Sequence, residues 1–172
     1  MKFSKYIEAP EVDIYAPRPW LFLAGGITGV EDWQTEAKNR LLMSNDFIPP
    51  FQESVVQGLT FDFGGTIINP RRSTFDMADT SIAEKQITWE FNHLKEADAI
   101  LFWFQHETLQ PIVLFELGRW SYTSKLLFVG VHPDYPRKLD VEVQMKLARP
   151  LTPIYDNLSN LVNAVKSHGV VI

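Results

Sequence analysis

Two glutamates are the first candidates for chemistry, because each lies beside apolar residues. Glu116 is flanked by Leu114, Phe115 and Leu117, and a carboxylate amid that much apolar surface either faces a cleft or lowers stability. Glu90 lies beside the apolar stripe of an earlier predicted helix. Glycosyl transfer through an oxocarbenium-like transition state needs such a pair, one to attack or stabilise the anomeric carbon and one to manage protons.

Each glutamate also has a plain structural interpretation. Glu116 can pair with Arg119, three residues further on, and Glu90 can be an ordinary acid on a helix surface. Pro111 suits the first turn of a helix. The N-terminus of that helix would favour the ionised form of Glu116 that a nucleophile needs. The residues alone leave catalysis and structural pairing both open.

Two further segments follow predicted strands and offer groups for ligand binding. Gly25, Gly26 and Ile27 begin a loop in which backbone N–H groups can approach a ligand closely. A plain tight turn is the alternative, because the glycine spacing is not that of a dinucleotide-binding loop. Arg71 and Arg72 can grip a phosphate or carboxylate through forked hydrogen bonds, or form surface ion pairs.

The composition excludes several functional classes. The 172 residues carry a net charge of −5 and contain no cysteine, which excludes thiolate nucleophiles and argues against binding of nucleic acid polymers. The histidines lack metal-ligand spacing, and no serine stands in a nucleophile elbow. We therefore expect a globular protein without a cofactor or a metal.

The apolar segments are too short for a membrane protein. The longest, 99–104, is far below the roughly 20 residues that cross a bilayer. No signal-peptide-like apolar segment follows Met1. We expect no membrane association and a cytoplasmic location.

The elements that would position these residues alternate between strand and helix. Short apolar runs predict strands at 20–24, 47–48, 66–68, 99–104 and 125–131. Helices are predicted from Asp32 as a cap to about 44, at 80–97, from Pro111 to about 122, up to Ala148, and around 158–165. This alternation favours a parallel sheet with helices on both faces and a ligand site beyond the carboxyl ends of the strands.

The main apolar residues of two of these helices can be named. In the 80–97 helix, Ile87, Phe91, Leu94 and Ala97 form the predicted inward face. In the helix from Pro111, the apolar surface comprises Ile112, Phe115, Leu117, Trp120 and Tyr122. Residues 1–19 contain three prolines and show no sustained period, so we predict an arm at 1–19 and a single domain at 20–172.

Taken in order, six segments between about Trp20 and Val131 resemble the nucleoside 2-deoxyribosyltransferase-like family, within the wider group of deoxyribosyltransferases and nucleotide N-glycosidases. They are Phe22-Leu23-Ala24-Gly25-Gly26-Ile27, Asp32-Trp33-Gln34, Asn69-Pro70-Arg71-Arg72, Gln86-Ile87-Thr88-Trp89-Glu90, Ala97-Asp98-Ala99-Ile100 and Phe115-Glu116-Leu117-Gly118. The resemblance implies a flavodoxin-like, five-stranded parallel sheet with helices on both faces. It also implies homodimers or larger assemblies in which neighbouring subunits help to complete the site.

The resemblance also assigns roles to residues. Glu116, in a Glu-Leu-Gly segment, corresponds to the nucleophile, and Glu90, eight residues before Asp98, corresponds to the second acid. Six residues before the nucleophile, where the family usually has another acid, this chain has Gln110. The remaining residues assigned to substrate binding are Gly25, Gly26, Ile27, Asp32, Trp33, Asn69, Arg71 and Arg72, with Trp33 expected to border a nucleobase.

The sequence therefore predicts an enzyme that cleaves the N-glycosidic bond of a nucleoside through Glu116 and passes the sugar to another base or to water. One alternative is a nucleotide N-glycosidase in which Arg71 or Arg72 binds a 5′-phosphate. The other is a nucleotide-sensing module without turnover, motivated by Gln110. The expected partners are a nucleoside or nucleotide, a nucleobase and further copies of the chain.

Overall fold

A parallel sheet forms the centre of the molecule. The structure, a computed structural model, describes residues 5–42, 65–72 and 80–168. Its strands are β1 (Lys5–Glu8), β2 (Trp20–Gly25), β3 (Thr66–Asn69), β4 (Ala99–Phe104), β5 (Leu126–Val131) and β6 (Ile154–Tyr155). They lie in the order β1-β3-β2-β4-β5-β6, and every neighbouring pair is parallel. Strands buried on both faces read as continuous apolar runs, as β4 does.

Helices cover both faces of this sheet. They are α1 (Trp33–Leu42), α2 (Thr80–Glu96), α3 (Pro111–Ser121), α4 (Lys138–Ala148) and α5 (Leu158–Ser167). One core cluster packs α1 and α5 against the sheet, and a second packs α2, α3 and α4 against its other face. Over the part of the chain that is described, none of the helices is both long and apolar enough to span a bilayer.

The α/β, flavodoxin-like class predicted from the sequence is confirmed, with one correction to the strand number. The five strands β3-β2-β4-β5-β6 follow the 2-1-3-4-5 order of flavodoxin-like sheets. The sixth strand, β1, comes from the predicted arm and pairs with β3 from Lys5↔Thr66 to Glu8↔Asn69. It was missed because backbone pairing with an open sheet edge, rather than an apolar pattern of its own, makes it a strand.

Most predicted elements agree with the structure. The strands at 20–24, 66–68, 99–104 and 125–131 and all five helices are confirmed, with Asp32 Oδ1 accepting a hydrogen bond from Thr35 N at the start of α1. The predicted strand at 47–48 and the last two residues of the first helix lie outside the described residues. The two-residue strand β6 was not predicted.

The predicted inward face of α2 is partly wrong. Leu94 is buried as expected, but Ile87 is 66% exposed and Phe91 is 42% exposed. Trp89 and His93 take their place against the sheet, with ring centroids 3.9 Å apart. Both sides of this helix carry apolar residues, so periodicity alone could not tell which side packs.

The apolar residues of α3 and the residue after it are likewise divided between buried and exposed positions. Leu117 and Trp120 are buried, whereas Ile112 and Phe115 are 64% and 70% exposed, and Tyr122 is 78% exposed. Together, α2 and α3 turn part of their apolar surface away from the sheet. That surface reappears in the wall of the cavity described below.

Candidate active site

The loop after β2 is held rigidly by α1. A Cβ on Gly25 would lie 2.5 Å from Cζ2 of Trp33 and 2.6 Å from the Trp103 carbonyl oxygen, so only glycine fits. The Gly26 carbonyl accepts hydrogen bonds from Trp33 Nε1 at 3.1 Å and from Gln34 Nε2 at 3.0 Å. The backbone of this loop is therefore fixed before any ligand arrives.

Gln110 links this loop to the loop after β4. It precedes α3 with φ of 48° in the left-handed region, which few residues other than glycine adopt. Its side-chain Oε1 accepts from Gly26 N at 3.0 Å, and its Nε2 donates to the Gln105 carbonyl at 2.9 Å. The residue is 6% exposed, so both amide groups of this buried side chain are satisfied.

Glu116 projects from α3 and Glu90 from α2, the helices on either side of a cavity. Gln86, one turn before Glu90, donates from Nε2 to Glu90 Oε1 at 2.6 Å and to the Pro70 carbonyl at 2.9 Å. This pair of hydrogen bonds sets the position of the Glu90 carboxylate relative to the segment after β3.

The cavity has a volume of about 590 Å³ and opens at the carboxyl ends of β2 and β4. The strand order reverses between these strands, which is where open parallel sheets bind ligands. Six of the predicted site residues line it: Gly25, Gly26, Ile27, Glu90, Gln110 and Glu116. Most of the remaining wall is apolar, including Phe22, Ile87, Phe91, Leu94, Ile112, Val113, Phe115 and Trp120.

The two carboxyl groups influence each other's ionisation. Burial, together with the negative charge of Glu90, raises the pKa of Glu116 to about 8. Burial also raises the pKa of Glu90, but the Gln86 hydrogen bond and the positive charge of Arg72 oppose the rise. At neutral pH the pair therefore keeps a proton, and it resides on Glu116.

Comparison with known protein families gives a match over the residues that surround this cavity. The family model described as "Nucleoside 2-deoxyribosyltransferase like" matches residues 18–135, which include every strand end and helix around the cavity. The chain belongs to the nucleoside 2-deoxyribosyltransferase-like family. No curated protein matches it. Family membership indicates an enzyme of the N-glycosyl transfer or N-glycosidase kind.

Within this family member, five predicted binding residues lie outside the cavity wall. They are Asp32, Trp33, Asn69, Arg71 and Arg72. The indole of Trp33 is 2% exposed and packs against Gly25. It therefore supports the loop and does not line the cavity, where it was expected to border a nucleobase. A buried indole whose N–H is already bonded is a structural element of the loop.

Arg71 and Asn69 also support the framework. Arg71 donates to the Glu31 carbonyl and to Gln34 Oε1 at 3.1 and 3.0 Å and forms an ion pair with Asp32 at 3.2 Å. Asn69 Oδ1 accepts from the Arg71 backbone N–H at 3.0 Å. These contacts lock the segment after β3 onto the start of α1, and they occupy the guanidinium that was expected to hold a phosphate.

Arg119 does not form the structural pair with Glu116 that the sequence allowed. Its guanidinium carbon lies 4.5 Å from the ring centroid of Phe91 and 5.2 Å from that of Trp120. Cation–π contacts of this kind hold an arginine against an aromatic surface. Only burial and Glu90 perturb the pKa of Glu116, which leaves its carboxyl group available to a ligand.

Sequence reasoning missed Gln86 as a site residue. Gln86 lies four residues before Glu90, a spacing that places both side chains on one face of a helix. That spacing was a usable signal. Among the described residues, no three His, Asp or Glu side chains are grouped to hold a metal ion.

Proposed function

We propose that this family member cleaves the N-glycosidic bond of a 2-deoxynucleoside with Glu116 as the nucleophile and transfers the sugar to another nucleobase. The observation that supports this best is that Glu116 and Glu90 line one cavity, at the end of the sheet where flavodoxin-like folds bind ligands. In this proposal Glu90 and its Gln86 contact orient the sugar and help to move the proton.

The shared proton fits the first half of the reaction. The oxygen of Glu116 forms an ester bond to the anomeric carbon while the C–N bond breaks, and the bonding electron pair stays on the base nitrogen. That nitrogen takes up the proton that Glu116 carries in the free enzyme, directly or through Glu90. A protonated glutamate and a nucleoside thus give a glycosyl ester and a neutral base, with no proton needed from solvent.

The second half reverses these steps with a different base. A nitrogen of the acceptor attacks the anomeric carbon, the ester bond breaks, and its electron pair returns to Glu116 together with the proton of the acceptor. A mostly apolar wall of Phe22, Phe91, Val113 and Trp120 favours a flat, weakly polar acceptor over ordered water. The cavity therefore supports transfer more strongly than hydrolysis.

The cavity also supports a nucleoside more strongly than a nucleotide. A 5′-phosphate needs a committed cation, and Arg71 is already bound to Glu31, Asp32 and Gln34. Arg119 lines the cavity, but its guanidinium lies against the rings of Phe91 and Trp120 and would have to leave them to reach a phosphate. The Glu90 carboxylate, which keeps its negative charge while Glu116 holds the proton, would repel an anionic ligand in the cavity.

Self-association is part of the same proposal. The mouth of the cavity exposes the apolar side chains Ile87, Phe91, Ile112 and Phe115. Contiguous exposed apolar surface of this kind is typical of interaction sites. A second copy of the chain covering this rim would close the cavity to water, which strengthens the electrostatic effects inside it.

Base exchange tests the proposal directly. Wild-type protein and Glu116→Ala are incubated with a panel of deoxynucleosides and their 5′-monophosphates, with and without a free acceptor base, and products are separated by chromatography. We expect new nucleosides with wild type and the control variant but not with Glu116→Ala, only with an acceptor present, and faster from nucleosides than from monophosphates. The control is Glu36→Ala, an exposed acid on α1 far from the cavity.

Each alternative gives a different pattern. Release of free base without an acceptor identifies a hydrolase, and a strict need for the 5′-phosphate identifies a nucleotide N-glycosidase. Equal activity of Glu116→Ala and wild type would show that Glu116 is not the nucleophile. Binding without any turnover would favour the sensing module.

A further inference from the structure

One buried polar atom in the wall of the cavity has no partner in the described part of the chain. It is Oε1 of Gln86, a residue that is 8% exposed and lines the cavity. Buried carbonyl groups are nearly always hydrogen-bonded, because leaving one unbonded costs the free energy of its desolvation. An unbonded acceptor in a binding cavity marks a place where a ligand donor belongs.

The orientation of this amide is fixed by its other half. Gln86 Nε2 donates to the Pro70 carbonyl and to the Glu90 carboxylate. A flipped amide would place Oε1 against the Pro70 carbonyl oxygen, which can only accept a hydrogen bond. Rotation is therefore excluded as a way to satisfy Oε1, and the atom keeps its acceptor role in the free protein.

The neighbours of Gln86 show which part of a substrate can reach it. If Glu116 and Glu90 act at the anomeric carbon, the amide bonded to Glu90 lies beside the sugar. A flat base is better matched to the apolar side chains of Phe22, Phe91 and Trp120 elsewhere in the wall. The donors of a sugar are its hydroxyl groups.

We infer that Gln86 Oε1 accepts a hydrogen bond from a hydroxyl group of the substrate sugar, which makes Gln86 a specificity-determining residue of this site. The inference rests on the proposed function for the class of substrate. Gln86 has two tasks, since its N–H groups hold Glu90 and Pro70 while its carbonyl recognises the sugar. A site built around such an acceptor rejects an analogue that lacks the matching hydroxyl, because the acceptor is then left unbonded.

A double-mutant cycle between the protein and the ligand separates these tasks. Binding is measured by calorimetry in a Glu116→Gln background, which keeps the shape of the protonated carboxyl group and prevents turnover. The ligands are a ribonucleoside and its 2′-, 3′- and 5′-deoxy derivatives, and the second variant adds Gln86→Met. Gln144→Met, at an exposed position of α4, is the matched control.

We expect deletion of the 3′- or the 5′-hydroxyl group to weaken binding about tenfold when Gln86 is present, because the proposed substrate, a 2-deoxynucleoside, has no 2′-hydroxyl group. The same deletion should have no effect in the Gln86→Met variant, because the acceptor is no longer there to be left unbonded. The hydroxyl that shows this loss of effect is the one that Gln86 binds. A structural role alone would instead weaken binding of all four ligands by the same factor.

The outcomes distinguish this inference from the proposed function. If all three deletions have the same effect with and without Gln86, the inference is overturned, even when wild type exchanges bases. If one deletion is coupled to Gln86 but wild type shows no turnover, the hydroxyl subsite stands and the proposed reaction fails. If no nucleoside binds at all, both fail.

Discussion

The two helix layers of this protein differ in how many large apolar side chains they leave exposed. On one face of the sheet, α5 buries Leu158, Leu161, Val162 and Val165, and among the described residues of α1 and α5 Leu42 is the one large apolar side chain that is exposed. On the other face, α2, α3 and α4 leave a series exposed, namely Ile87, Phe91, Ile112, Phe115, Leu139, Val143 and Leu147.

This difference separates the part of the molecule that stabilises the sheet from the part that meets other molecules. The α1–α5 layer gains stability from nearly complete burial. The opposite layer buries less of its apolar surface and gains less stability from it. Glu90 and Glu116 both belong to this layer. On α2 and α3, the exposed apolar side chains Ile87, Phe91, Ile112 and Phe115 form part of the cavity wall and its rim.

Truncation of one side chain in each layer tests this separation most strongly. Leu161→Ala removes a fully buried side chain from α5 and is expected to lower the free energy of unfolding by about 2–5 kcal/mol. Ile112→Ala, at a 64% exposed position of α3, should change it by less than about 0.5 kcal/mol. Urea unfolding measures both, and equal losses would contradict the comparison.

The ionisation of Glu116 gives the next largest effect. Its pKa is about 8 in the folded protein and near the ordinary 4.5 when unfolded, so its favourable contribution is fully present below pH 4.5 and is lost as the pH rises through 8. Glu116→Gln should therefore be more stable than wild type at pH 9, by about 2 kcal/mol after allowance for partial exposure.

Thermal unfolding from pH 4 to 9 measures this difference. The difference in melting temperature between Glu116→Gln and wild type should increase with rising pH. Glu36→Gln, on the opposite layer, serves as the control and should follow wild type throughout. A constant gap between Glu116→Gln and wild type would show that the carboxyl group does not hold a proton at neutral pH.

The coupling between the two carboxyl groups predicts a shift in the pH–rate profile. In the proposed reaction the pair starts with one proton, so kcat/KM should fall as Glu116 loses it near pH 8. Glu90→Gln removes the negative charge that, after burial, raises the pKa of Glu116, and the alkaline limb should move to lower pH. An unmoved limb would mean that the two groups do not interact.

Self-association should depend on the exposed rim alone. Phe115→Lys, on α3, is expected to weaken dimer formation by about fivefold or more, because a charge at an apolar contact costs roughly 1 kcal/mol or more. Leu42→Lys, on α1, should leave the dimer intact. Light scattering after size exclusion over a range of concentrations measures both, and a monomeric wild type would contradict the proposal.

The sequence predicts the central fold well, because long apolar runs such as 99–104 and capped helices are local signals. The edge strand at Lys5–Glu8 escapes prediction because its stability comes from pairing with residues 61 positions away. The side of α2 that packs against the sheet could not be predicted, because the apolar residues Ile87 and Phe91 line the cavity and do not pack in the core.

The residues of the candidate site were also predicted only in part from the sequence. Glu116 is singled out by its apolar neighbours and Glu90 and Gln110 by the resemblance to the family, and all three line the cavity. The supporting role of Trp33 and Arg71 is not predictable, because a residue that binds a ligand and one that holds the binding loop have the same composition and spacing. Only the contacts to Gly26 and Gln34 reveal which of the two occurs.

The left-handed Gln110 has a consequence for anyone who redesigns this protein. Its side-chain amide is hydrogen-bonded to Gly26 in one loop and to Gln105 in the other. A change in the conformation of either loop therefore affects the other. A library that varies residues 26–31 while position 110 also changes would mostly contain loops in which this hydrogen-bonded link is lost. Substrate range here is best altered by changing both loops as a unit.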